Sequence, residues 1–281
     1  MVITLRNDHA TAVIDPSTGG RLVSLLIDGH EVMGSIPDYV LDDILANAPD
    51  RHHDWYRGSF PLAPWAGDLP RGTFHFDRTR YDIDCDSSGI AAHGVVAESA
   101  WSIVENPPTR TSLTLRIPFG PELPGRWPFD GFARQTFVLD DPTLMLRLEV
   151  HSSRGRMPAI AGFHPWFRRE MDDGAAASVD FFPQKRLVWR GDRLVATDDL
   201  GERPWDDLFV GLQRSPCISW PGGPILTLES TASIWVYYER TPIAFCLEPW
   251  TGPSGGLETE WACIVTPKNP LILDFTIRFG Y

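Results

Sequence analysis

The chain has 281 residues, 43% of them apolar, and a formal net charge of −12. So acidic a chain lacks the basic face that nucleic acid or an anionic membrane demands, and neither is expected as a partner. At this length folding buries most of the chain's surface without a metal or disulfide staple. The cysteines at 85, 217, 246 and 263 form no Cys-x-x-Cys pair, which points to a reduced cytoplasm and to no metal site.

The opening residues 1–6 alternate like a strand and do not read as a signal peptide, and no apolar run is long enough to span a bilayer. Turn signals follow at Asp15–Gly20 and Asp28-Gly29. Residues 38–46 are the best short helix candidate in a chain with 25 prolines and 24 glycines. His52-His53-Asp54 resembles a metal cluster, but neighbours on a strand face opposite ways and no second ligand pair accompanies them. His93-Gly94 sits among apolar neighbours and, taken alone, reads as a turn before it reads as a site.

From residue 112 onward a period of two dominates. Ser112–Phe119, Gln135–Leu139, Leu144–Val150, Ser233–Glu239, Ile243–Glu248 and Leu271–Phe279 are predicted strands. Asp140–Thr143 and Glu239–Pro242 are turns between them. In the final strand Leu271, Leu273, Phe275, Ile277 and Phe279 share one face, as in a half-buried antiparallel strand. With no linker, low-complexity tract or repeat, residues 1–281 read as one all-β domain, a large antiparallel sandwich with few short helices.

Two strands carry candidate chemistry. In Ala161–Phe167, Gly162, His164 and Trp166 share a face and the two phenylalanines take the other. An imidazole beside an indole suits a polyol, whose C–H faces lie on aromatic rings while polar groups take the hydroxyls. In Ile243–Glu248, Ala244, Cys246 and Glu248 share a face, and the carboxylate ends the strand before Pro249 stops the ladder. There it either projects into solvent or enters a cleft with a raised pKa. The segment Trp205–Phe209 sets Asp206 among apolar residues. Arg154-Gly155-Arg156 reads as a solvated turn, because no glycine-rich loop leads from it into a helix. Neither a G-x-S-x-G elbow nor a dinucleotide fingerprint is present.

In order, these segments resemble the aldose 1-epimerase (galactose mutarotase-like) family. The resemblance rests on Gly19–Leu25, Gly58–Gly67 with Arg71–Phe74, His93-Gly94, Gly162–Phe167, Asp206 with Phe209, and Glu248-Pro249 with Thr251-Gly252. It implies a β-supersandwich with an open cleft, no metal and no cofactor. It also implies a free monosaccharide as partner, on a monomer or homodimer. By the same resemblance His164 is the general acid and Glu248 the general base, with His93 and Asp206 binding the sugar; Trp166 joins them as the indole beside His164. Where the family's binding turn reads Asn-Arg, this chain has Gly67-Asp68. Asp68 is then a substrate-binding candidate, with Arg71 reaching back along the turn, and an acid there disfavours phosphorylated hexoses.

The implied reaction interconverts α and β anomers by acid–base opening and closure of the ring. It requires the His164 imidazole and the Glu248 carboxylate to converge on one hollow from opposite sides, with a pyranose-sized gap between them and neither buried in a closed salt link. A non-catalytic sugar-binding protein and a glycoside hydrolase or lyase, the latter pairing Glu248 with Asp206 or Asp68, are the alternatives.

Overall fold

A computed structural model describes residues 1–35, 53–104, 111–123 and 127–280. The helix expected over 38–46, and His52, lie outside the described residues. The described chain is almost wholly antiparallel sheet, with 3-10 turns at His53–Tyr56 and Gly256–Glu258. No described helix is long and apolar enough to cross a membrane.

Two large sheets, of 11 and 8 strands, make the sandwich. The predicted strands form with boundaries moved by a few residues. Ser112–Phe119 is as expected, and the next two lengthen to Gly131–Asp140 and Thr143–Ser152. Leu271–Gly280 alternates buried and more exposed positions along its length. Its apolar row meets the other sheet, where Phe163 lies 5.8 Å and Trp235 6.3 Å from Phe275 between ring centroids. Such aromatic pairs add about 0.5–1.5 kcal/mol each beyond the area they bury.

The larger sheet places Ser59–Leu62, Gly162–Arg168, Ala244–Trp250, Ile234–Tyr238 and Asp206–Val210 side by side in that order. Phe163, Phe167, Phe245 and Leu247 are fully buried, with Phe167 and Phe245 5.9 Å apart. A period of two then sends His164, Trp166, Cys246 and Glu248 to the opposite face. That face is roofed in part by a small ribbon, Asp68–Pro70 paired with Ile90–Ala92.

Pro249 does not end its strand, contrary to the expectation from sequence. The strand runs on to Trp250, with Pro249 opposite Trp235 and Trp250 opposite Ile234. A proline lacks only its own N–H, so one ladder survives while the other is relieved. On the side of the relieved ladder, pairing holds at Gly162–Trp250 and Trp166–Cys246 and lapses between them. Pro165 and Pro249 both fall in that interval. The acid–base candidates therefore sit where two central strands lose their ladder bonds.

Candidate active site

His164 and Glu248 occupy facing positions on those two strands. His164 Nε2 lies 3.5 Å from Glu248 Oε1. The other carboxylate oxygen, Oε2, accepts a hydrogen bond from Trp250 Nε1 at 3.1 Å. Glu248 is 2% and His164 9% exposed, and both line a cavity of about 270 Å³. The solvent-facing alternative for Glu248 is thereby excluded. Burial foremost, then the negative charge of Asp206, pushes the Glu248 carboxyl well above the usual carboxylate range, while the Trp250 N–H pulls it down.

The expected gap between the two side chains is not there. The sequence-based requirement treated the whole ring as the spacer, but the two oxygens that exchange protons are bonded to one carbon. They lie closer together than any hydrogen-bonded pair of heavy atoms. His164 and Glu248 stand side by side on one wall of the cavity.

The imidazole is held by stacking. Phe60 lies against it at 4.8 Å and 15° between planes, and Trp166 at 5.3 Å and 28°. Trp166 is fixed in turn by donating its indole N–H to the Trp55 carbonyl at 2.7 Å. His93 meets His164 edge-on at 5.3 Å. Its own backbone is left-handed, with φ 58°, and its Nδ1 accepts from the Gly67 N–H at 3.3 Å. A neutral His93 therefore carries its proton on Nε2.

Asp206 and Asp68 also line the cavity. Asp206 stands at the end of its strand opposite Tyr238, 3.6 Å from Arg240 Nη1. Asp68 is anchored through its backbone, its N–H donating to Ser254 Oγ at 2.8 Å. Arg71 is a correction: it is exposed and does not line the cavity. The reason is local. Arg71 and Gly72 both turn left-handed, with φ 60° and 56°, and the Arg71 N–H closes on Gly89 O at 2.7 Å, so the residue belongs to the outer turn of the ribbon.

The sequence reading missed Trp55, Tyr56, Tyr238, Trp250 and Ser254 on the cavity wall. Trp250 could have been found, because it is two residues beyond Glu248 on the same face. Tyr56 and Tyr238 arrive from distant segments and gave no local signal. Also unforeseen is the fully buried Arg21, whose guanidinium lies 4.4 Å from the Phe60 ring centroid and donates to Arg57 O at 2.9 Å.

His53-Asp54 forms part of a 3-10 turn. Among the described residues, His164, Cys246 and Glu248 form the group of potential metal ligands, their ligand atoms all within 4.8 Å of one another. Arg154–Arg156 is the exposed turn expected, with Arg156 paired to Asp77 at 3.2 Å.

The family model for aldose 1-epimerase matches residues 1–201. No curated protein sequence matches the chain. Among solved structures, a galactose mutarotase-like protein from Clostridium acetobutylicum superposes with a TM-score of 0.81 at 15% identity, over 99% of this chain and 95% of that one. The Slr1438 protein from Synechocystis sp. PCC 6803 gives 0.78 at 18%, over 100% and 96%. Galactose 1-epimerase from Lactobacillus acidophilus gives 0.74 at 14%, over 99% and 94%. At such identities the likeness is one of fold, and the family match carries the assignment. The chain belongs to the aldose 1-epimerase family.

Proposed function

We infer that the protein is a mutarotase, interconverting the α and β anomers of a free aldose. The observation that carries this reading is the 3.5 Å approach of His164 Nε2 to Glu248 Oε1 on a cavity wall. Ring opening needs a proton taken from the anomeric hydroxyl and a proton given to the ring oxygen. Glu248 Oε1 takes the first and the protonated His164 gives the second as the bond from C1 to the ring oxygen breaks, leaving an aldehyde. Rotation about C1–C2 presents the other carbonyl face. His164 then recovers its proton from the attacking hydroxyl, and Glu248 returns its own to the carbonyl oxygen.

Each side chain thus ends as it began. Placed acid–base groups typically contribute about 10²–10⁴-fold each, most effectively with a pKa near the working pH. The upward shift of Glu248 moves it that way. Trp250 keeps Oε2 occupied, so Oε1 is the oxygen presented to the sugar. Trp166, His93, Asp206 and Asp68 bind the ring and its hydroxyls in this reading.

Proton NMR exchange spectroscopy on a panel of free aldoses and hexose phosphates tests it. Accelerated anomer exchange for at least one free aldose is expected, with phosphorylated sugars slower. Sugar binding without acceleration would instead identify a non-catalytic binder. Release of the aglycone from an aryl glycoside would identify a hydrolase, whose chemistry requires a second carboxylate working with Glu248.

A further inference from the structure

The acid–base reading leaves one side chain at the site without a task. Cys246 is fully buried two residues before Glu248 on the same face of the strand, directly across from Trp166. Its Sγ, His164 Nε2 or Nδ1, and a Glu248 oxygen lie mutually within 4.8 Å. A sugar 1-epimerase needs an acid and a base; it has no use for a thiol behind them. We propose that His164, Cys246 and Glu248 form a binding site for a thiophilic divalent cation, Zn²⁺ foremost, whose occupancy excludes the sugar.

The donor set fits that ion by number, type and charge. One nitrogen, one sulfur and one oxygen are the ligand types Zn²⁺ takes, at about 2.0–2.3 Å, and a tetrahedral site made from them separates ligand atoms by about 3.3–3.8 Å. The His164–Glu248 distance of 3.5 Å already meets that geometry. Cys246 Sγ, within 4.8 Å of the other two ligand atoms, must draw closer to complete the site. Thiolate and carboxylate together cancel the charge of the dication, so the buried complex is neutral and avoids the penalty of an unpaired buried charge. The fourth position opens on the cavity, as in zinc sites that keep one exchangeable ligand. Mg²⁺ and Ca²⁺ prefer an all-oxygen shell and should not compete.

The stacked walls support the same reading. Phe60 and Trp166 hold the imidazole plane, and Trp250 holds the carboxylate, so two of the three ligands are oriented before the ion arrives. Binding is a simple exchange: the Cys246 thiol and the His164 imidazolium give their protons to solvent, metal–ligand bonds form, and nothing is oxidised or reduced. The competition with sugar rests on the activity proposed above; the binding itself does not.

The test uses the full-length protein, stripped with EDTA, then titrated with Zn²⁺ by calorimetry and with Co²⁺ by absorption spectroscopy. One Zn²⁺ per chain is expected, with a near-ultraviolet thiolate-to-cobalt charge-transfer band. Cys246→Ser should abolish the band and weaken Zn²⁺ by more than the about 10–100-fold that outer-shell partners cost. The other three cysteines stay in place, so a band that persists in Cys246→Ser overturns the proposal. So does a wild-type protein that takes up no Zn²⁺ or gives no band. His164→Asn, on the cavity wall, supplies a second arm that does not depend on the buried strand position: its Zn²⁺ affinity must also fall, and an unchanged affinity overturns the site. Anomer exchange measured in parallel separates the two readings, because Zn²⁺ uptake without any exchange in the aldose panel removes the enzyme and leaves the metal site.

Discussion

Phe60 and His164 stack nearly parallel, at 4.8 Å between ring centroids, although they lie 104 positions apart in sequence. They are direct partners across two neighbouring strands of the larger sheet. Antiparallel pairing thus supplies the imidazole with a flat, fully buried wall, and the candidate acid gains a fixed plane without a dedicated loop.

That wall gives the first prediction. Phe60→Ala should destabilise the protein by about 3–5 kcal/mol, as for other buried phenylalanines. Phe60→Leu keeps much of the apolar volume and loses the flat face. Its Tm should fall less, while kcat for anomer exchange falls about tenfold or more as the imidazole loses its alignment. Denaturant titration and NMR exchange on the two variants check both parts.

Glu248 makes stability depend on pH. Its folded pKa lies above the ordinary value of 4.5, so the native state holds that proton more tightly than the unfolded chain does. Between the two pKa values the unfolded chain binds fewer protons, and stability falls as pH rises through that interval. Glu248→Gln has no such proton to lose. Its Tm minus that of the wild type should grow as pH rises from about 4.5 and level off above the folded pKa. In kcat/KM the acid limb of the wild type should be centred above that same ordinary value, with EDTA present throughout.

The His93-Gly94 turn is predicted to be intolerant at its second residue. Gly94 has φ 81°, and a Cβ there would stand 1.9 Å from Ala63 O. Gly94→Ala should cost more than about 1 kcal/mol, from strain and clash together. It should also raise KM by displacing His93 from the cavity. Thermal melts and sugar titrations on Gly94→Ala, beside His93→Ala, separate the two effects: the second variant should raise KM with little change in Tm.

Asp68 and Arg71 are expected to part company. Asp68→Ala should raise KM for a free aldose, because Asp68 lines the cavity. Arg71→Ala should leave KM within twofold of the wild type, because the residue is on the outer turn. A large KM effect from Arg71→Ala would return it to the site. Steady-state kinetics on both variants suffices.

The alternation of Leu271–Phe279 and of the strands around residues 112–150 was plain in the sequence because one face of each is buried and the other is not. Around His164 and Glu248 both faces are buried; a strict period of two told which residues share a face, and the family resemblance singled out the acid and the base. Pro249 misled, because a proline in a strand reads as a stop until the neighbouring ladder it spares is known. Tyr56 and Tyr238 could not be read, since nothing within a few residues of either encodes the strand order that brings them to the cavity; the same holds for the packing of Arg21 against Phe60. Arg71 failed for a subtler reason: nearness along a turn says little about direction once two successive residues adopt left-handed backbone.

Mutarotation by this protein depends on the paired roles of His164 and Glu248. The most direct measurement is the anomer exchange rate, by NMR, of wild type, His164→Asn and Glu248→Gln on the best aldose of the panel, with folding verified by thermal melts. Each substitution should lower the rate by about 10²-fold or more while the protein remains folded and binds sugar. Wild-type rates in either folded variant would contradict the account.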